Sequence, residues 1–441
     1  MHKLDKDQAG TPRPTDSFLT AHSVSRARLG VTCAVVGLSA LLLFLAKIQQ
    51  PDFMVFDESS YISIARGLLA RDLPPLQPDS ALGRQHPPLG SWLIAQSMRL
   101  GGDNPRGWRL ASALAGTLAL IAIFLWTYLL LRNYGLALLA AFLTLFNNFL
   151  YVMARVAMLD IFAVAFCLWG LLAFTAAATE VCTVGRRRTV IIFSGLAFGL
   201  ALACKWNAVD TFAVCFAVAL VLYGISRTSA AWTTHLQATA QNVRSIGLPV
   251  ILLAFIAAPA CGYVAGFLPL FRAARMPFSF SELFRMHAVM LAMNRNFAGN
   301  PALYAAWYTW PFRVTPVRGL SYLMGNWVVM WGGLAALAVA AWRLRKPVTL
   351  PGGLVLMLYF ANLLQWALTP LKVPNYYYYF SAAMFLGPAI AVALNRPVAP
   401  RIFGLRISLL AAVAAFVFFL YCYPRMAHLQ APWDCMFGCW D

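Results

Sequence analysis

The feature that most limits what this chain can become is a series of long apolar runs almost free of charge. About 20 residues of α-helix cross a bilayer core, and lipid cannot satisfy backbone hydrogen bonds, so runs of that length must be helical. About eleven can be drawn, at 29–47, 108–131, 136–153, 157–178, 190–204, 207–225, 246–269, 322–341, 351–369, 376–394 and 403–421. Composition agrees: 61% of the 441 residues are hydrophobic and only 11% are charged, whereas a soluble chain carries about a quarter charged residues. No polar stretch is long enough for a second soluble domain. The expected fold is one all-α membrane domain at 29–421, with polar tails at 1–28 and 422–441. The first run is long enough to span, so no cleaved signal peptide is expected.

The net charge of +19 would suggest a nucleic-acid partner in a soluble protein. Here the basic residues gather in short connections between apolar runs, which is an orientation signal, and no nucleic acid is expected. Arg26, Arg28, Arg132, Arg186, Arg187, Arg188, Arg227, Arg244, Arg343, Arg345, Lys346, Arg396 and Arg401 fall on one side. The short connections opposite hold Arg155, Lys205 and Lys372. That bias puts the N-terminus in the cytoplasm and the C-terminus outside. Two longer segments, 48–107 and 270–321, then face outward; they mix aromatic, Leu, Met and Arg residues without spanning length. Such segments suit helices lying in the membrane interface, in the first and fourth outer loops. Cys33, Cys167, Cys204, Cys215 and Cys261 sit inside apolar runs and read as small buried hydrophobes. Cys435 and Cys439 lie in the outer tail, where an oxidising compartment would allow them to pair. No His or Cys spacing matches a metal site, so no metal cofactor is expected, although a divalent ion near Asp57 and Asp160 is conceivable.

Acids are scarce, only fifteen in the chain, and charges near a bilayer are costly enough to count as functional candidates. The stretch "FDESSYISIARGLL" places Asp57 and Glu58 side by side after the first run. One acid would suffice to cap a helix, so capping alone does not explain the pair. Asp160 and Asp210 also fall near outer helix ends, as do Arg109, Arg155 and Lys205. The expected orientation thus gathers both signs into one polar pocket facing lipid and water. A lipid phosphate has its head at this depth. Arg or Lys can hold the phosphate, and a carboxylate can take a proton from an attacking hydroxyl. Each residue also has a plainer reading. Lys205 beside Trp206 fits a snorkelling interface lysine, and Asp210 one turn inward could simply pair with it. His86, before Pro87 and Pro88, reads as loop packing rather than a metal ligand. Tyr376–Tyr379 fits an interfacial girdle or a surface for the lipid carrier. The Arg-rich faces of 270–321 suit lipid head groups.

Seven motifs in order give a resemblance. "FDESSYISIA", "HPPLGSWLI", "RLASALAGTL" and "RVAMLDIF" resemble the lipid-dependent glycosyltransferases of GT-C fold; "ALYAAWYTWPFRVTPVR", "YLMGNWVVMWGG" and "PNYYYYFSAAMFLGPAIAV" are similar to the protein O-mannosyltransferase family. The resemblance runs from about Asp52 to Ala393. It implies a polyprenyl- or dolichyl-phosphate-linked mannose as donor, protein Ser or Thr as acceptor, and inversion at the sugar. Asp57 would be the general base and Glu58 would position the acceptor. Arg109 and Lys205 would bind donor phosphate, while Arg155 and Asp160 would shape the sugar site, with His86 a further substrate-binding candidate. The segment 270–321 is too short for the soluble module of eukaryotic members, which points to a bacterial plasma (inner) membrane. Aminoarabinose transferases acting on lipid A share the first-half motifs, so a lipid acceptor stays open. A flippase of lipid-linked sugars would also want intramembrane charge, but near mid-bilayer and with a repeated half.

Overall fold

The computed structural model describes residues 24–71, 85–228, 234–296, 305–313, 323–344, 349–368, 375–396, 401–402 and 405–428. Among them the chain is a helical bundle with one short antiparallel ladder, Arg401–Ile402 against Leu405–Arg406. Nine helices are long and apolar enough to cross a membrane, and two shorter apolar ones, Tyr134–Leu145 and Trp327–Arg343, fill the remaining expected positions. In order, α1 (Arg26–Leu45) is followed by two helices of the first long loop, α2 (Glu58–Ala70) and α3 (Leu89–Gly101). Then come α4 (Pro105–Leu131), α5 (Tyr134–Leu145), α6 (Asn148–Met153), α7 (Leu159–Thr179), α8 (Val184–Cys204) and α9 (Val209–Ile225). An amphipathic α10 (Thr234–Ile246), not expected from the sequence, precedes α11 (Leu248–Leu252). α11 runs through a π turn, Leu253–Ala257, into α12 (Ala258–Ala273). The second long loop carries α13 (Phe280–Asn296), and α14 (Trp327–Arg343), α15 (Leu350–Leu368), α16 (Phe380–Ala383), α17 (Leu386–Leu394) and α18 (Ile407–Met426) complete the bundle.

The expected span at 136–153 is two helices. α5 ends at Leu145, and the Asn147 side chain accepts from the Phe149 N–H at 3.3 Å to start α6 anew. Asparagine does the same elsewhere: Asn104, Asn133 and Asn326 accept from N–H groups opening α4, α5 and α14. These first-turn donors have no partner within the helix, and each such cap is worth about 1 kcal/mol. Arginine closes the opposite ends. Arg187 reaches the Ala177 and Glu180 carbonyls at the end of α7, and Arg343 the Val392 and Ala393 carbonyls at the end of α17. A guanidinium meets both the orphan acceptors and the negative end of the helix dipole.

Small residues set the closest approach in the bundle. α8 packs on α12 and the π turn through Gly195 and Gly199. A β-carbon on Gly195 would stand 1.8 Å from the Ala254 carbonyl oxygen, and one on Gly199 2.2 Å from that of Pro259. In lipid, where apolar burial gives helices no preference for one another, such backbone contact carries the association. Gly195→Val is therefore expected to cost about 3 kcal/mol or more, because the obstructing atom is backbone and cannot rotate away. Size-exclusion of the detergent-extracted variant should show loss of the monodisperse peak.

Candidate active site

Glu58 opens α2 and is fully buried, with both oxygens occupied twice. Arg109, on the second turn of α4, meets it in a two-pronged pair: Nε donates to Oε1 and Nη2 to Oε2, both at 2.8 Å. The Val55 N–H donates to Oε2 at 2.9 Å and the Ala157 N–H to Oε1 at 2.7 Å. Arg109 spends its other donors on the carbonyls of Ile48 (3.3 Å), Pro51 (2.7 Å) and Phe53 (2.9 Å). A guanidinium has five N–H donors, and every one is used. The sequence reading has Arg109 as a phosphate ligand and Glu58 as an acceptor-positioning group; in the structure their hydrogen-bonding groups are directed at each other and at backbone. Together they fasten the segment 48–57 onto α4 and the turn before α7.

Arg155, expected to shape the sugar site, is likewise directed at backbone. It is 3% exposed and donates to the Phe44, Ala46 and Lys47 carbonyls, closing the end of α1 with its guanidinium 5.0 Å from the Tyr151 ring centre. Its contacts are with backbone rather than with an open sugar site. Sequence inspection finds these three charges but not their partners, since carbonyls leave no mark in a sequence.

The remaining charges form a second cluster. Asp160, in the first turn of α7, receives the Lys205 ammonium on both oxygens at 2.8 Å. Lys205 occupies the bend between α8 and a short 3-10 turn, Trp206–Ala208. Its Nζ stands 4.9 Å from the Tyr378 ring centre and 5.5 Å from that of Tyr377. Tyr378 in turn lies flat on Trp366, with centroids 4.4 Å apart. The aromatic faces support the cation and leave one ammonium N–H beyond the two that Asp160 takes. Asp210, read as a partner of Lys205, instead hydrogen-bonds with Gln365.

Asp57 sits between the two clusters, in the cap position of α2 without capping it. Its Oδ2 accepts from the Tyr377 hydroxyl at 2.5 Å. Phe56, just before it, holds a left-handed φ of 51° and packs edge-on against Tyr377 with centroids 5.8 Å apart. A bulky residue in that region costs about 1–2 kcal/mol, and the Arg109 clamp on the preceding carbonyls holds it there. Burial pushes the Asp57 carboxyl above its usual range; the Tyr377 hydrogen bond and the Lys205 charge offset part of this, and Asp160 adds to it. Asp57 thus stays a stronger base than an exposed aspartate. The sequence placed Tyr377 in an interfacial girdle or against the lipid carrier; three of the four tyrosines in the run are buried, and the run hides which one meets Asp57.

His86 is half-buried, its ring 6.2 Å from that of Tyr61, one turn along α2 from Asp57. Burial, with the Lys205 charge second, pushes its pKa down to about 3, so it is neutral. It lines a small cavity with Ile64, Ser91, Phe267, Leu270 and Met290. Among the described residues no group of three or more His, Cys, Asp or Glu side chains is placed to hold a metal ion. Cys435, Cys439 and Lys372 lie outside the described residues.

Residues 85–255 match the family described as dolichyl-phosphate-mannose-protein mannosyltransferase. No curated protein matches the sequence. Among solved structures, the protein O-mannosyltransferase Pmt1-Pmt2 complex of S. cerevisiae, bound to the sugar donor, aligns with a TM-score of 0.75 at 12% identity, over 94% of this chain and 92% of that one. ArnT from Cupriavidus metallidurans, bound to undecaprenyl phosphate, aligns at 0.59 with 18% identity, over 92% of this chain and 67% of that one. The oligosaccharyltransferase AglB from Archaeoglobus fulgidus, in complex with an inhibitory peptide and a dolichol-phosphate, aligns at 0.55 with 15% identity, over 92% and 57%. At these identities the structures speak for the fold. The chain is therefore an integral membrane protein of GT-C fold whose residues 85–255 carry the dolichyl-phosphate-mannose-protein mannosyltransferase family match.

Proposed function

We propose that this chain is a glycosyltransferase moving mannose from a polyprenyl- or dolichyl-phosphate carrier onto a hydroxyl, that of a protein Ser or Thr, at the outer face of a bacterial plasma membrane. The observation that carries the reading is the meeting of Asp57 with the Lys205–Asp160 pair, on a fold whose solved relatives hold lipid-phosphate ligands. Asp57 takes the proton of the attacking hydroxyl. The oxygen attacks the anomeric carbon from the side opposite the phosphate, so the sugar inverts. The anomeric carbon–oxygen bond breaks, and its electron pair leaves with the carrier phosphate. The carboxylate becomes a neutral acid while the phosphate diester monoanion becomes a monoester dianion, so charge balances. Lys205 holds the phosphate with its remaining N–H and its point charge. Asp160 and Tyr378 keep that ammonium in place.

The match over residues 85–255 favours a protein acceptor over a glycolipid. The grouping of Asp57, Asp160 and Lys205 at one end of the helices, rather than at mid-length, disfavours a flippase.

The test supplies radiolabelled polyprenyl-phosphate-mannose to purified protein, with and without a Ser/Thr-rich peptide, and follows label onto the peptide. Label appearing only on lipid would redirect the acceptor assignment; no release at all would remove the enzyme reading. The same assay gives the pH dependence. The base must be ionised and burial raises its pKa, so activity should fall as acid is added through a midpoint above the ordinary aspartate value of about 4. A midpoint at or below that value would contradict the assignment of Asp57.

A further inference from the structure

Helix α13 runs over the cavity beside the site, contributing Met286, Val289 and Met290 to its lining. It is tied to the first loop where Asn294 Nδ2 donates to the Gln85 carbonyl at 2.8 Å. Its other tie is a chain of groups that ends next to Lys205. His287 Nδ1 lies 2.6 Å from the Leu283 carbonyl oxygen. A carbonyl only accepts, so Nδ1 carries the proton, and in the neutral ring Nε2 is the acceptor. The Tyr263 hydroxyl donates to that Nε2 at 2.7 Å and itself accepts from Trp206 Nε1–H at 2.9 Å. The imidazole also lies nearly parallel to two rings, Trp206 (centroids 6.1 Å, 19°) and Phe267 (5.4 Å, 25°). The His287 ring on α13 is thus inserted between α12 and the bend that bears Lys205.

Trp206 directly follows Lys205, whose backbone is extended at the start of the 3-10 turn. Fixing the indole in two directions, by its N–H and by its face, fixes the peptide unit from which the lysine side chain departs. We propose that His287, acting through Tyr263 and Trp206, is a positioning residue for Lys205, so that seating α13 over the cavity and setting the ammonium on Asp160 are one event. The chain of groups reaches the phosphate-binding lysine without touching substrate. The inference rests on Lys205 being the donor-phosphate ligand.

The effect is expected mainly in donor binding, because the ammonium already holds the phosphate before transfer, and the part of an interaction made in the ground state appears in KM. Tyr263→Phe keeps the ring and removes the hydroxyl from both hydrogen bonds. It should raise donor KM about tenfold, with kcat and acceptor KM within about twofold. His287→Ala should match it. His287→Gln places a carbonyl where Nε2 accepts and should return donor KM to within about twofold of the unmodified enzyme. Unchanged donor KM in Tyr263→Phe, or His287→Gln as impaired as His287→Ala, would overturn the proposal. A second measurement needs no turnover. Met290→Cys, on the buried face of α13, should be alkylated by a water-soluble maleimide at least about fivefold faster when Tyr263→Phe is added, as expected when a local closure is loosened. Equal labelling rates would refute the latch whatever the activity. If the unmodified protein transfers no sugar, the functional reading fails while the labelling experiment still decides the latch.

Discussion

An Asp57→Asn variant is expected to transfer sugar about 10³-fold more slowly, within the range that removal of a general base typically gives, while remaining folded. The two halves of that expectation come from one fact. Burial raises the carboxyl pKa, so between the ordinary and the raised value the native state binds more protons than the unfolded chain, and stability falls as pH rises through that window. At neutral pH the ionised Asp57 is therefore a liability to the fold. Asparagine removes the charge and keeps an oxygen for the Tyr377 hydroxyl. Thermal melting at pH 7 should show Asp57→Asn as stable as the unmodified protein or more so, with single-turnover transfer nearly lost. Full activity in this variant would exclude Asp57 as the base; a collapsed melting profile would show that its role is in the fold.

The neighbouring acid should behave oppositely. Glu58 and Arg109 are both fully buried and saturated with partners. Breaking a buried pair by removing one member leaves an unpaired charge and costs about 3–5 kcal/mol. Glu58→Ala and Arg109→Ala should each cost that much, and the double replacement should cost less than the two together, because no isolated charge remains. Lysine cannot reproduce the five-donor fork, so Arg109→Lys should rescue little. Detergent melting curves on the four proteins close the cycle. Additive losses would mean that the pair is not the unit described.

Two adjacent carboxylates thus have different surroundings: Glu58 is locked against Arg109, whereas Asp57 accepts from Tyr377 and is the proposed base. The sequence offered no way to divide them. Alternation on an extended segment or a helix face would have separated their directions, but at a helix start the turn geometry decides, and that geometry depends on carbonyls at 48, 51 and 53 that any residue could supply. For the same reason Arg109 and Arg155 were legible as important charges but not as backbone ligands. The bundle itself was far more legible. Hydrophobic length in a bilayer is a nearly one-dimensional constraint, and all eleven expected positions hold apolar helices. What length could not show was the interruption at Asn147, where one polar side chain restarts a helix, and α10, whose amphipathic pattern is too short to stand out. The Lys205–Asp160 pair shows the intermediate case. Its members were found by scarcity, yet the competing choice of Asp210, only five residues from Lys205, could be settled only by the direction in which α7 presents its first turn.

The charges around the site add up to nothing. Asp57, Glu58 and Asp160 bring three negative charges, and Arg109, Arg155 and Lys205 bring three positive. An empty neutral pocket exerts little pull on an anion from afar, so salt should scarcely slow the arrival of the carrier lipid, which finds its way by its tail within the plane of the membrane. The same neutrality bears on departure. On the proposed reaction, protonating Asp57 leaves the walls with one excess positive charge facing a doubly charged spent phosphate, and release of the carrier would then wait on that proton reaching water.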